Sequence, residues 1–111
     1  MFRQDRGMPR LIRPNLPSTV ETAIGFLGSR AQADVLRQLA ILGPSTVGQL
    51  QAVLEIGRPS LNRHLEALSR AGLIETDPPR GLRQGRDVTY EVQPRRIRHL
   101  LRAYVDYVEG R

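Results

Sequence analysis

Residues 45–73, STVGQLQAVLEIGRPSLNRHLEALSRAGL, constrain the fold more than any other stretch of the chain. They hold two short amphipathic patterns separated by a tight Gly-containing break and closed by Ala-Gly-Leu. The Ser45 hydroxyl can cap the free backbone N–H groups of a first helix, whose apolar positions Val47, Leu50, Val53 and Leu54 recur at helical spacing. This helix is expected to end near Ile56-Gly57. Arg58-Pro59 opens the second, since a proline's missing N–H has no intrahelical partner in a first turn. At ~100° per residue, Leu61, Leu65 and Leu68 fall on one stripe, with Pro59, Asn62, Arg63, Glu66 and Arg70 on or near the opposite side. Gly72 stands where helices commonly close in a left-handed residue, and Leu73-Ile74 begins an extended run. The spacing is that of a helix-turn-helix, with one face of the second helix in a core and the other free.

At 111 residues the chain predicts one domain with a modest core, which a second copy would help to cover. The sequence carries 17 basic against 11 acidic residues, a net charge of +6, and every basic residue is arginine. Complete exclusion of lysine reads as the mark of a high-GC genome; the net charge is what favours a polyanionic partner. With no cysteine, disulfides and thiolate metal sites are excluded. No apolar run approaches the ~20 residues of a membrane span or the ~7 to 15 of a signal-peptide core, so the expected location is cytoplasmic.

Residues 1–17 carry Arg3, Arg6, Arg10 and Arg13 against Asp5 and are broken by Gly7, Pro9, Pro14 and Pro17, which predicts a flexible basic arm. Such an arm either reaches into a minor groove or adds only diffuse attraction. Residues 18–108 form the expected domain. Ser18 is read as the cap of a first helix with Val20, Ala23, Ile24 and Leu27 on one face. Phe26, off that stripe, needs a second surface, from another subunit or another helix of the same chain. Ser29 starts a second helix through Leu42, with Ala31, Val35, Leu36, Leu39 and Leu42 inward and Ile41 off the stripe, free to meet the last helix.

After the helix-turn-helix, residues 73–76 and 87–92 read as the strands of a hairpin, with Val88, Tyr90 and Val92 on its buried face. Its loop, residues 78–86, holds Arg80, Arg83 and Arg86 with Gly81 and Gly85 and no acid, a tip able to lie along phosphates. Pro94 starts a last helix in which Ile97, Leu100, Leu101, Tyr104, Val105 and Val108 form an apolar stripe opposite His99, Arg102 and Asp106. That stripe must be covered, by its own domain or by the first helix of a second subunit.

The element order, together with Arg63-His64-Leu65, Leu68, Ala71-Gly72-Leu73-Ile74, Gly85-Arg86 and Tyr90, resembles the ArsR-like winged helix-turn-helix regulators over roughly residues 18–108. MarR-like proteins share much of the pattern but are usually longer and carry an Asp-x-Arg pair absent here. The resemblance implies a mainly α fold with a β-hairpin wing (about 73–93), a reading helix (about 58–71) and a C-terminal dimer helix (about 94–108). It implies dimerisation through the first and last helices, with Ile24, Phe26, Leu27, Ile97, Leu100, Leu101, Tyr104, Val105 and Val108 at the interface. Carried over by position, Ser60, Asn62 and Arg63 face bases or phosphates, Arg58 lies near the backbone, and Arg80, Arg83 and Arg86 act from the wing. An Asn amide can pair bidentately with adenine and an Arg with guanine.

Many members of that family sense metals, but the paired Asp-x-His and second histidine of their last-helix sites are missing here. His64, flanking the core stripe, reads as packed or hydrogen-bonded rather than as a ligand. No metal or cofactor is expected. There is no nucleophile elbow, zinc-protease histidine pair or Walker lysine, so an enzyme is not expected. The resulting expectation is a homodimeric repressor binding an inverted-repeat operator in double-stranded DNA, with no inducer implied. Two other readings are an accessory or architectural DNA-binding protein of a plasmid, phage or mobile element, and a winged helix used only for protein contacts.

Overall fold

The computed structural model describes residues 16–79 and 87–111. The basic arm up to residue 15, and Arg80, Arg83 and Arg86 with Gly81 and Gly85 of the wing loop, lie outside the described residues. Five helices and three short strands follow in the order α1 (Ser18–Leu27), α2 (Arg30–Leu42), β1 (Ser45–Thr46), α3 (Val47–Val53), α4 (Arg58–Arg70), β2 (Ile74–Asp77), β3 (Thr89–Val92) and α5 (Pro94–Val108). This is the mainly helical, winged arrangement expected, with one strand more.

Helix α2 is capped as its sequence predicts, the Ser29 hydroxyl accepting from Gln32 N at 3.1 Å. Helix α1 is not: Pro17 occupies the cap position with no side-chain bond, and its carbonyl accepts from Val20 N and Glu21 N. Ser18 already lies inside the helix, where its carbonyl accepts the Thr22 hydroxyl. The start of α3 also differs by one residue. Thr46, not Ser45, is the cap: its Oγ1 accepts from Gln49 N at 3.2 Å while Gln49 Oε1 accepts from Thr46 N at 2.8 Å. This reciprocal pair satisfies two end donors at once. Ser45 is instead buried in β1 and donates its hydroxyl proton to Gly43 O at 2.7 Å. Helix α3 is shorter than expected, because Leu54 turns extended at φ −113°, ψ 135°. Residues 54–57 form the connection to α4.

The sheet order is β1-β3-β2, antiparallel throughout. Within the hairpin, Ile74 pairs with Val92 and Thr76 with Tyr90; on the other side of β3, Ser45 pairs with Tyr90 and Thr46 with Thr89. Strand β1 thereby ties the start of α3 to the wing. Two residues carry no periodicity, so this strand leaves no pattern to read.

The core gathers Val35, Leu36 and Leu39 from α2, Leu50 from α3, Leu61, Leu65 and Leu68 from α4, Leu73, Ile74 and Leu100. The three α4 leucines sit as their spacing predicts. Leu42, Val53 and Ile41 do not turn inward; all three are exposed. Leu42 is the last residue of α2 and Val53 the last of α3, where the helices run out past the layer that would cover them. Helix α1 is rotated from the expected setting: Val20, Ala23 and Phe26 are buried, while Ile24 and Leu27 are each 45% exposed. It packs against α5 and α2 of its own chain, and Phe26, near its end, turns into their shared core. Leu100 is buried there as well, and Ile97, Leu101 and Tyr104 lie half-buried against it. The inner half of the α5 stripe is thus covered by its own domain, and the outer half, Val105 and Val108, is left exposed together with Tyr107.

Candidate nucleic-acid interface

Helix α4 presents its polar side because Leu61, Leu65 and Leu68, three and four residues apart, are held in the core. Arg58, Asn62 and Arg63 are exposed and Ser60 is half-buried. The four candidates of the sequence lie within the first two turns of the helix; Ser60, Asn62 and Arg63 are off the leucine stripe, while Arg58, three residues before Leu61, is exposed because it stands at the helix start. Gly57 caps the helix without a side-chain bond, and Pro59 stands in its first turn.

The arginines of α4 differ in what they touch. Arg58 Nε donates to Gln51 Oε1 at 2.9 Å, and Arg63 Nη2 donates to Ser60 Oγ at 3.2 Å. Both acceptors are neutral, so each guanidinium is oriented without being neutralised and keeps further N–H donors. Arg70, at the other end of the helix, is paired to Glu66 at 3.1 Å. Its charge is compensated, whereas Arg58 and Arg63 form no ion pair among the described residues.

A cleft of about 460 Å³ opens beside this face, lined by Thr46, Val47 and Gly48 at the start of α3, Arg58 and Asn62 of α4, and Asp87, Val88 and Tyr90 at the foot of the wing. It joins the exposed face of α4 to the wing strand. Sequence spacing finds Arg58 and Asn62 but misses the α3 side. Its signal was present as Thr46-x-x-Gln49, a capping-box pattern shifted by one residue from the serine that was read. Nothing in the sequence marks Asp87, the one acid of the cleft's lining among the described residues.

His64 is half-buried, with its Nδ1 at 3.5 Å from Gln32 Nε2; it bridges α4 to the start of α2. Among the described residues no group of three or more His, Asp or Glu side chains is placed to hold a metal ion. His99 is exposed, and Asp106 and Glu109 are both engaged by Arg111. No helix among the described residues is long and apolar enough to cross a membrane. Of the residues expected at a dimer interface, Ile24, Leu27, Val105 and Val108 offer exposed apolar surface. Phe26 and Leu100 are consumed by the chain's own core, and Ile97, Leu101 and Tyr104 lean on it.

Residues 27–77 match a family model described as a helix-turn-helix domain. No curated protein matches the sequence. Among solved structures, the chain is similar to an ArsR-like transcriptional regulator from Rhodococcus sp. RHA1, with TM-score 0.66 and 18% identity over 83% of this chain and 81% of that one. It is similar to the transcriptional repressor BigR from Xylella fastidiosa, with TM-score 0.57 and 20% identity over 85% and 89% of the two chains. It is similar to a MarR family transcription regulator, with TM-score 0.55 and 24% identity, over 84% of this chain and 60% of that one. The match spans the start of α2 through β2, the elements that build the exposed Arg58–Arg63 face. Residues 27–77 thus match a helix-turn-helix model, and the chain has the winged helix-turn-helix fold seen in the ArsR-like regulator.

Proposed function

We propose that the chain is a DNA-binding transcriptional regulator, acting as a homodimeric repressor that reads an inverted-repeat operator. The observation that carries this reading is the face of α4: Asn62 and Arg63 are exposed beside Arg58, the two guanidiniums are aimed by neutral partners, and the opposite leucine stripe anchors the helix. Such a helix end enters a major groove with its first turns leading, Arg63 offering a bidentate fork to guanine and Asn62 one to adenine. Arg58, held by Gln51 beside the cleft, is placed to meet the phosphates that flank the groove. The similar BigR structure is that of a transcriptional repressor. Exposed Ile24, Leu27, Val105 and Val108 supply the apolar surface through which two copies join. Two reading helices would then meet successive grooves about 34 to 36 Å apart.

Selection of bound fragments from genomic DNA identifies the half-site, and mobility shifts on that site test the assignment. Arg63→Ala is expected to lose the preference for the selected site, by about 1–3 kcal/mol for one bidentate contact, while non-specific binding is largely kept. Equal loss on selected and random duplexes would reduce Arg63 to a phosphate contact.

A further inference from the structure

A second concave surface has no α4 residue in its lining. It is a groove of about 380 Å³ between the end of α1, one face of α2, the end of β3 and the first turns of α5. Its floor is apolar: Phe26 and Leu36 are nearly buried, and Val92 and Ile97 lie half-buried beside them. Ala33 and Ala40, seven residues apart on α2, contribute little more than a methyl group each and leave the trough open. Arg37, between them, and Arg98 of α5 also line it. Neither arginine has a hydrogen bond or ion pair among the described residues, unlike Arg30, Arg70, Arg96 and Arg111. Among the described residues no acid lines the groove.

We propose that this groove is a binding site for a small amphipathic carboxylate, its aliphatic or aromatic body on the Phe26–Leu36–Ile97 floor and its carboxylate at the open mouth, on the side of exposed Arg37 and Arg98. The volume falls in the ~300–1,000 Å³ range of small-molecule sites, and an apolar lining with a few convergent polar groups is their usual composition. Arg37 and Arg98, exposed at the groove's edge and without partners among the described residues, bind a carboxylate more strongly than a neutral oxygen and repel a cation. The site goes beyond DNA reading: none of its residues belongs to α4, and its occupancy is measured on the protein without DNA.

The experiment is a titration of the full chain with octanoate, and separately with the uncharged octanol, followed by ¹H–¹⁵N correlation spectra. Octanoate is expected to give saturable shifts at Ala33, Ala40, Val92 and Ile97. In an Arg37→Gln/Arg98→Gln variant octanoate should weaken by about tenfold or more, with octanol changed little. Ala40→Leu, which fills the trough from an exposed helical position, should remove both. Shifts scattered over the other arginines, octanoate binding undiminished in the double variant, or binding undiminished in Ala40→Leu would each overturn the site. A groove already covered by a second copy of the chain would leave octanoate without effect, and that too would overturn it.

Discussion

Two glycines on the same chain are expected to answer the same substitution with opposite signs. Gly25 lies inside α1, and a Cβ built on it meets nothing within 4 Å. Glycine in a helix interior is less favourable than alanine by about 0.8–1.0 kcal/mol, so Gly25→Ala should stabilise by nearly that amount. Gly72 closes α4 at φ +77°. Its N–H donates to Ser69 O at 3.0 Å and that of Leu73 to Leu68 O at 3.0 Å, the two bonds of a Schellman closure, with Leu68 and Leu73 both buried. A Cβ at Gly72 would find the Arg96 side chain at 3.5 Å, ordinary contact distance, so the cost is that of the left-handed backbone alone. That cost is roughly 1–2 kcal/mol, reduced by the stiffer unfolded chain to about 1 kcal/mol net. The two variants should therefore bracket the parent and differ by about 2 kcal/mol. Urea unfolding followed by far-UV circular dichroism reads this as midpoints moved in opposite directions at unchanged slope. In thermal melts each kcal/mol corresponds to a few degrees, about 4–8 °C at the smaller end of this size range. Gly72→Ala as stable as the parent would refute the left-handed closure of the reading helix. Loss of stability in Gly25→Ala would mean that the outer face of α1 is already closely covered.

The start of α3 gives a local test: Thr46→Ala should cost about 1 kcal/mol, as a lost helix cap does, and should speed hydrogen exchange at the Gln49 amide, whose partner is the Thr46 hydroxyl. Unchanged exchange at Gln49 would return the capping role to another residue. On α5, Val108 is 63% exposed, so Val108→Asp should leave the fold of a single copy within about 0.5 kcal/mol while shifting sedimentation toward the monomer; a variant that sediments as the parent does would remove Val108 from the dimer face.

Helix α4 was readable in the sequence because everything that sets it is local: a proline in its first turn, leucines at i, i+4 and i+7, and a glycine after its last turn. The outward placement of Asn62 and Arg63 follows from those leucines without any knowledge of the fold. What settles Arg58 is not local. Its partner Gln51 lies seven residues away across the break between α3 and α4, and no periodicity relates them. The setting of α1 was unreadable for a different reason. Val20, Ala23, Ile24, Phe26 and Leu27 spread apolar surface around more than one face, and the sequence of α1 does not say which side α2 and α5 will cover. By spacing Phe26 is the outlier, yet it is the residue that packing selects, and Ile24 and Leu27 become the surplus. The same ambiguity hid β1, because a serine and a threonine before a helix look alike as caps until β3 arrives to pair with both.

The setting of α1 and α5 bears on how a reading helix is aimed in the proposed dimer. Helix α5 is tied to the end of α4 by two bonds: Gln93 N donates to Leu73 O at 2.8 Å, and Arg96 Nε donates to Ala71 O at 3.3 Å. The first turn of α5 therefore holds the last turn of the reading helix, while its final turn carries exposed Val105 and Val108. A displacement at the outer end of α5 is transmitted along one continuous helix to carbonyls that belong to the reading unit. In the proposed dimer the spacing between two Asn62–Arg63 faces is then fixed by how the α1 and α5 surfaces meet. No flexible linker among the described residues intervenes, since Gln93 is the only residue between β3 and α5. Operator half-sites moved apart by half a helical turn should for that reason lose the second subunit's contacts, because the start of α5 is hydrogen-bonded to the residues that close α4.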